Sequence, residues 1–365
     1  MRVDLLDYPL PEAAIAQRPT EHRDGARLLV VGERAVSHRR IVDWPSLVPA
    51  DALVVLNDTR VRRSRLRFEK STGGKVELLV LDVRPGESGD EIWTALGHSN
   101  RPLRIGKQLE LGPLRLTLID RGPAGEFVLS ARGHGDSEAF FEQFGLVPLP
   151  PYIRRVAGDD DVERYQTVFA DQVGSAAAPT AGLHLTPAML ATLRQRGVEV
   201  AFTTLHVGAG TFMPVRTDDL DEHPMHAERY TVSQALSEAV ARARARGGPV
   251  VAVGTTVVRA LESAADPGLE GRVQPRSELT RLLIQPGYRF RVVDALLTNF
   301  HAPRSTLLAL VSAFAGRLRL TGAYAAALNE GYRFLSYGDA MWLSRRLEAD
   351  LEPGAALETT REGAA

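Results

Sequence analysis

Hydrophobic and polar positions change rhythm twice along the chain. The first 60 residues run through a polar opening to Leu53-Val-Val-Leu56, which Asn57-Asp58-Thr59 closes; its length and β-branching predict a buried strand. From Arg60 to about Gly133, Gly, Pro and Asp turns separate the short runs Val76–Val83, Ile92–Leu96, Leu114–Ile119 and Phe127–Ala131. This is the pattern of consecutive antiparallel strands, and it predicts a small β-barrel or sandwich. After Pro148-Leu-Pro-Pro-Tyr152 the chain alternates between strand and helix patterns.

In that last stretch Thr186 caps a predicted helix over Pro187–Arg196, with proline at its first position. A strand over Val198–Leu205 follows, then a helix over Ser233–Arg246 that Gly247-Gly248 closes. The pattern continues with a strand Pro249–Gly254, a helix Val257–Ala264, a strand Ala295–Phe300 and helices Ser305–Gly316 and Tyr324–Glu330. Such alternation predicts an α/β class: a layered domain with a mostly parallel sheet, interrupted by an inserted antiparallel β-barrel-like domain. The expected boundaries are residues 1–60 and 148–351 for the α/β domain, 61–147 for the insert, and 352–365 for a disordered tail rich in Ala, Gly and Glu.

Composition narrows the chemistry. The 365 residues contain no cysteine, which excludes disulfides, thiolate metal sites and a cysteine nucleophile. Asp4 and Asp7 near the start argue against a signal peptide, and the longest apolar stretch, Leu307–Ala315, is too short to span a bilayer. A soluble, cytoplasmic protein without a membrane partner is expected. The net charge of −1 does not announce a polyanion partner, so the distribution of charge decides. Arg60, Arg62, Arg63, Arg65, Arg67 and Lys70 form the densest positive stretch. It reads either as a charged strand edge or as a phosphate-contacting strip.

Candidate chemistry gathers at strand ends, where open α/β sheets bind ligands. Leu205 leads into His206-Val-Gly208-Ala-Gly210-Thr-Phe212, Val253 into Gly254-Thr255-Thr256, and Leu297 into Thr298-Asn299-Phe300-His301. Gly208 and Gly210 form a lone GxG, which lacks the remainder of a dinucleotide fingerprint and fits a tight turn better than a phosphate cradle. Five of nine histidines, His184, His206, His223, His226 and His301, lie between residues 184 and 301. The spacing of His223-Pro-Met-His226 does not match a helical zinc motif, so proton transfer and hydrogen bonding are favoured over metal.

Several segments together resemble one family, S-adenosylmethionine:tRNA ribosyltransferase-isomerase. They are LNDTRV (56–61), GGKVELLV (73–80), PLPPYIRR (148–155), RYQTVFA (164–170), AAPTAGLHLT (177–186), TLHVGAGTFMPV (204–215), HPMHAERY (223–230), VAVGTTVVRALES (251–263), VVDALLTNFHAPRSTLLALVSAFAG (292–316) and YRFLSYGDAM (332–341). They span nearly the whole chain in one order. One departure is Arg62-Arg63-Ser64, where family members usually carry Ile-Pro-Ala.

The resemblance implies an α/β domain interrupted by a β-barrel, and a specific reaction. The ribosyl group of S-adenosylmethionine passes to 7-aminomethyl-7-deazaguanine at the tRNA wobble position and rearranges, giving epoxyqueuosine with release of adenine and methionine. The implied partners are that tRNA and S-adenosylmethionine, which is consumed; no metal or further cofactor is expected, and the chain is expected to act as a monomer. The candidates for catalysis are His184, His206, His226 and Asp339. For the donor they are Thr180, Gly182, Gly208, Gly210, Thr211, Phe212, Thr255, Thr256, Asn299, His301 and Tyr337, with Phe300 as a further aromatic face for the sulfonium. Arg60, Arg62, Arg63, Arg65 and Lys70 are the candidates for tRNA phosphates. Two other readings are a catalytically idle tRNA-binding module and a metal-dependent hydrolase built on His206, His223 and His226. Binding tRNA alone would not require AAPTAGLH, HVGAGTF and TNFHAP together.

Overall fold

The computed structural model describes residues 1–346 except 34, 70–73, 88, 100–101, 123–124, 209 and 211–214. The expected tail, 352–365, and the candidates Lys70, Thr211 and Phe212 lie outside the described residues. The strands run β1 (Arg27–Val31), β2 (Val36–Arg40), β3 (Leu53–Asn57), β4 (Thr59–Val61), β5 (Arg65–Glu69), β6 (Lys75–Pro85), β7 (Glu91–Ser99), β8 (Gln108–Leu111), β9 (Leu114–Arg121), β10 (Phe127–Arg132) and β11 (Gln172–Ser175). They continue as β12 (Glu199–Leu205), β13 (Glu228–Val232), β14 (Val250–Val253), β15 (Arg276–Thr280), β16 (Ala295–Asn299) and β17 (Ala340–Ser344). The helices are α1 (Trp44–Leu47), α2 (Ser137–Phe144), α3 (Asp159–Arg164), α4 (Pro187–Gln195), α5 (Gln234–Ala245), α6 (Thr255–Ser263), α7 (Thr306–Ala315) and α8 (Arg317–Asn329).

The chain divides into two compact units: Met1–Asn57, Pro179–Leu205 and Met213–Ala365 form the first, and Asp58–Ala178 with His206–Phe212 the second. The second unit therefore continues past the proline-rich stretch at 148–152. Proline marks a local break in backbone pattern, whereas a unit boundary is set by which distant residues pack together.

The first unit is built on a nine-stranded sheet in the order β15-β13-β12-β3-β14-β16-β17-β1-β2. The expectation of a mostly parallel sheet is corrected here. Pairings β12–β3, β3–β14, β14–β16 and β17–β1 are parallel, and β15–β13, β13–β12, β16–β17 and β1–β2 are antiparallel, so the sheet is mixed. The helix-bearing alternation in the sequence reports on the central parallel strands. Antiparallel neighbours need no helical crossover and leave no such signal.

Every residue of β3, β14 and β16 is buried. Successive side chains of a strand point to opposite faces, so these strands are covered on both sides, which explains their continuous apolar runs. Helices α4 and α5 pack on β12, α6 on β12 and β14, α7 on β17 and α8 on β1. The anticipated caps are present: the Thr186, Ser233 and Ser305 side chains accept from the backbone N–H groups of Met189, Leu236 and Leu308. The last helix differs from expectation by starting at Arg317, directly after Gly316 at φ 83°.

The second unit contains a six-stranded antiparallel sheet in the order β5-β6-β7-β10-β9-β8. It curls into a nearly closed, barrel-like form around Leu66, Phe68, Leu78, Trp93, Leu116, Leu129, Phe140 and Phe141, the last two supplied by α2. A short parallel pair, β4 with β11, lies in the same unit. Among the described residues no helix is long and apolar enough to cross a membrane.

Candidate functional site

In the first unit, strands β12, β3, β14 and β16 run parallel, so their carboxyl ends lie along one edge. That edge is organised by buried polar groups. Asn57, at the end of β3, donates through Nδ2 to the Leu205 carbonyl (3.0 Å) and Thr256 Oγ1 (3.1 Å), and accepts at Oδ1 from the Leu205 N–H (3.0 Å). One amide side chain thus joins the ends of β3 and β12 to the start of α6. Gly254 turns the chain from β14 into α6 at φ 93°, a backbone conformation that favours glycine. Thr255 is buried there.

The Pro-Thr-Ala-Gly-Leu-His stretch forms a 3-10 turn, Thr180–His184, that packs against β16. It carries Thr180 and Gly182 and delivers His184 to Asn299, whose Nδ2 lies 3.1 Å from His184 Nε2. Burial holds the His184 pKa down to about 4; Asp339 opposes this shift, and Arg23 and Arg333 reinforce it. His184 is therefore a neutral imidazole at physiological pH. Asn299 Nδ2 also lies 3.4 Å from the Leu335 carbonyl and 3.5 Å from that of Asp339.

The segment bearing Tyr337 and Asp339 is a strained turn. Leu335 takes φ 69°, unusual for a residue with a branched side chain, and its N–H donates to the Phe300 carbonyl. At Gly338 a Cβ would stand 2.4 Å from the Arg333 carbonyl oxygen, so only glycine fits. Both Asp339 carboxylate oxygens are occupied, accepting from the backbone N–H groups of Arg27 and Arg333 (2.8 Å each). Asp339 thus ties β1 to this turn and exerts its field on His184. This is a positioning geometry for a residue that the resemblance offers as a candidate for catalysis. Tyr337 is buried in the same turn.

His301 is held on three sides. Its Nε2 lies 2.9 Å from Thr298 Oγ1, its N–H donates to Tyr324 Oη (2.9 Å), and its carbonyl accepts from Tyr8 Oη (2.5 Å). Burial pushes its pKa down to about 3. Phe300 is fully buried among Phe334, Tyr324 and Tyr332, with ring centroids 4.6, 5.3 and 5.7 Å away. Its faces are engaged by protein, so the suggestion that Phe300 offers a face to a sulfonium is corrected.

In the second unit His206 places Nδ1 2.8 Å from Thr59 Oγ1. Its ring packs on Gly174, where an added Cβ would come within 3.0 Å of Cε1. Val207 joins the Ser175–Ala177 segment: its N–H donates to Ser175 Oγ and its carbonyl accepts from the Ala176 N–H. Gly208 and Gly210 follow in this short stretch.

The arginine strip is broken rather than continuous, since β4 ends at Val61 and β5 begins at Arg65. Arg62 pairs with Glu138, and Arg63 donates to the Gly145 carbonyl (3.0 Å) and faces Glu142 (3.8 Å). Arg65 donates to the Leu149 carbonyl (2.8 Å) and pairs with Glu77 (3.0 Å), which Arg67 shares. Arg60 is exposed on β4. The strip's charge is therefore largely matched within the unit.

His226 sits exposed on the loop before β13, and burial lowers the pKa of its neighbour His223. Among the described residues no group of three or more His, Asp or Glu side chains is placed to hold a metal ion. Sequence reasoning missed Asn57, Thr59, Tyr8, Tyr324, Arg23 and Arg333. Asn57-Asp-Thr59 at a strand end was a usable signal; Arg23, in a polar loop, offered none.

A mixed α/β sheet with buried hydrogen-bonding groups along its parallel strand ends, in a chain that also carries a barrel-like β unit, defines an α/β protein with a candidate ligand site at that edge. A family model described as queuosine biosynthesis protein matches residues 3–343. The S-adenosylmethionine:tRNA ribosyltransferase-isomerase of Sorangium cellulosum (strain So ce56) is 55% identical over 368 residues, covering 93% of this chain and 98% of the relative. The protein of the same name from Anaeromyxobacter dehalogenans (strain 2CP-C) is 50% identical over 350 residues, covering 95% and 100%. The crystal structure of S-adenosylmethionine tRNA ribosyltransferase from Thermotoga maritima is 32% identical with a TM-score of 0.52, covering 93% of this chain and 99% of that one. The chain belongs to the queuosine biosynthesis protein family.

Proposed function

We propose that this chain transfers and isomerises the ribosyl group of S-adenosylmethionine onto 7-aminomethyl-7-deazaguanine at the wobble position of tRNA. The products are epoxyqueuosine-tRNA, adenine and methionine. The observation that carries this reading is the end-to-end match to relatives bearing the ribosyltransferase-isomerase name. In this reading the reaction is cytoplasmic and S-adenosylmethionine is consumed without a further cofactor.

The chemistry suits the residues at hand. A sulfonium acidifies the adjacent ribosyl carbon, so a base there forms a ylide; adenine departs more readily when a donor meets its ring nitrogen. His184, buried and neutral beside Asn299, is suited to the leaving base. His206, hydrogen-bonded to Thr59, is suited to proton transfer. Thr255, Thr256 and Tyr337 contribute to holding the donor, and Arg60, exposed, is the member of the arginine strip best placed to meet phosphate.

The test incubates the protein with S-adenosylmethionine and tRNA bearing the deazaguanine precursor. Stoichiometric adenine and methionine are expected. Release of S-adenosylhomocysteine would indicate methyl transfer and overturn the proposal.

A further inference from the structure

The amide of Asn299 has one occupied end and one empty one. Nδ2 faces His184 Nε2 at 3.1 Å and the carbonyl oxygens of Leu335 and Asp339 at 3.4 and 3.5 Å, while buried Oδ1 has no hydrogen-bond partner among the described residues. Exchanging the two ends would set a carbonyl oxygen against two backbone carbonyl oxygens. It would also bury an NH₂ group with nothing to receive its protons, at a cost of about 1–3 kcal/mol. The NH₂ group therefore faces His184.

An NH₂ group donates and does not accept, so the ring nitrogen opposite it must present a lone pair. That nitrogen is Nε2, and the single proton of the neutral ring then lies on Nδ1. The residue is only 5% exposed, and Nε2 faces Asn299; Nδ1–H is the ring's polar group left to a ligand. The surroundings hold Asn299 rigidly. Leu335 stands in its unusual φ with its carbonyl also accepting from the Gly338 N–H (2.9 Å), and Asp339 is pinned through both carboxylate oxygens.

We propose that Asn299 is a positioning residue that fixes the His184 proton on Nδ1, so that His184 serves the reaction as a hydrogen-bond donor through Nδ1 and not as a base through Nε2. The catalytic half of this statement rests on the ribosyl-transfer reading above. A neutral imidazole can stabilise charge that develops on a departing group without itself becoming charged. In ribosyl transfer the N-glycosidic electron pair moves onto adenine as the bond breaks; Nδ1–H donates to the ring nitrogen that takes up this charge, and adenine collects its proton from water. The base that forms the ylide is then another group.

The test begins with the native full chain, labelled with ¹⁵N at histidine, and long-range proton–nitrogen correlations of the ring, with His184 assigned by the signal lost in His184→Gln. A pyrrole-type Nδ1 and a pyridine-type Nε2 are expected at neutral pH. Asn299→Asp replaces the donor with an acceptor; it should move the proton to Nε2 and lower kcat by about 10-fold or more, with the KM for S-adenosylmethionine changed by less than about threefold. A native ring protonated on Nε2 overturns the assignment whether or not the variant folds. An Asn299→Asp protein with the proton moved and kcat unchanged overturns the catalytic half. The ring spectrum needs no turnover, so a native chain that shows Nδ1–H yet releases no adenine refutes the ribosyl-transfer reading and leaves the Asn299 assignment standing.

Discussion

At the scale of the residue, His184 and His301 are kept neutral by burial, and this has consequences for both rate and stability. If His184 donates to the leaving base, His184→Ala should reduce adenine release by about 100-fold or more while the fold persists. Single-turnover kinetics beside circular dichroism would check this, and unchanged turnover would remove His184 from the mechanism. For stability the sign follows from proton counts. Both folded-state pKa values, about 4 and about 3, lie below the ordinary 6.5, so the unfolded chain binds more protons as pH falls beneath 6.5. The stabilisation is complete above that value and is lost on acidification down to the folded-state values. The midpoint of thermal unfolding should therefore drop between about pH 7 and pH 5, and drop less in His301→Asn. A midpoint indifferent to pH in both proteins would contradict the buried, neutral state described for these rings.

At the scale of the element, Asn57 joins two strands and a helix through three hydrogen bonds. Asn57→Ala removes the side-chain partner of the Leu205 N–H and carbonyl and should cost about 1–3 kcal/mol, read from urea unfolding. A loss within a few tenths of a kcal/mol would show that water replaces the amide there. Elements with local instructions were legible in the sequence. Thr186, Ser233 and Ser305 cap their helices through side chains three residues from the N–H groups they receive, and the apolar run of β3 announces burial on both faces. Elements defined by distant partners were not. Strand β2, Val-Ser-His-Arg-Arg, has no buried residue and so carries no alternation, and β17 is five residues long between a turn and the end of the described chain. The same division governs the site. His184 and Asn299 could be read as candidates from their strand-end motifs. That Asp339 is spent on two backbone amides, and that Arg62, Arg63 and Arg65 are paired with Glu138, Glu142 and Glu77, depends on residues up to 312 positions away.

At the scale of the whole molecule, net charge is near neutral, and within the arginine strip Arg62, Arg63 and Arg65 are matched by carboxylates while Arg60 is exposed. Arg60→Ala should therefore matter out of proportion, lowering the salt slope of log K for tRNA by roughly 0.7–0.9 if it meets one phosphate. Arg62→Ala should instead destabilise the protein, because it strands Glu138 and uncovers Phe141, with the slope unaltered. Filter binding across a salt series separates the two. A slope that responds to Arg62 and not to Arg60 would reverse the assignment.

The pairing of β1 with β17 also sets a timetable for synthesis. The Arg27 N–H receives its partner from Asp339, 312 residues later, and at about 5–20 residues per second a ribosome needs roughly 15–60 s to cover that distance. Until then β1 can close only its hairpin with β2. One edge stays bare, and Leu28, Leu29 and Val31, all buried in the finished fold, remain without their covering. A nascent chain in that condition is a template for pairing with its neighbours. Shielding of the growing chain during that interval should therefore raise its yield in cells, and slower translation without added chaperone should lower the soluble fraction.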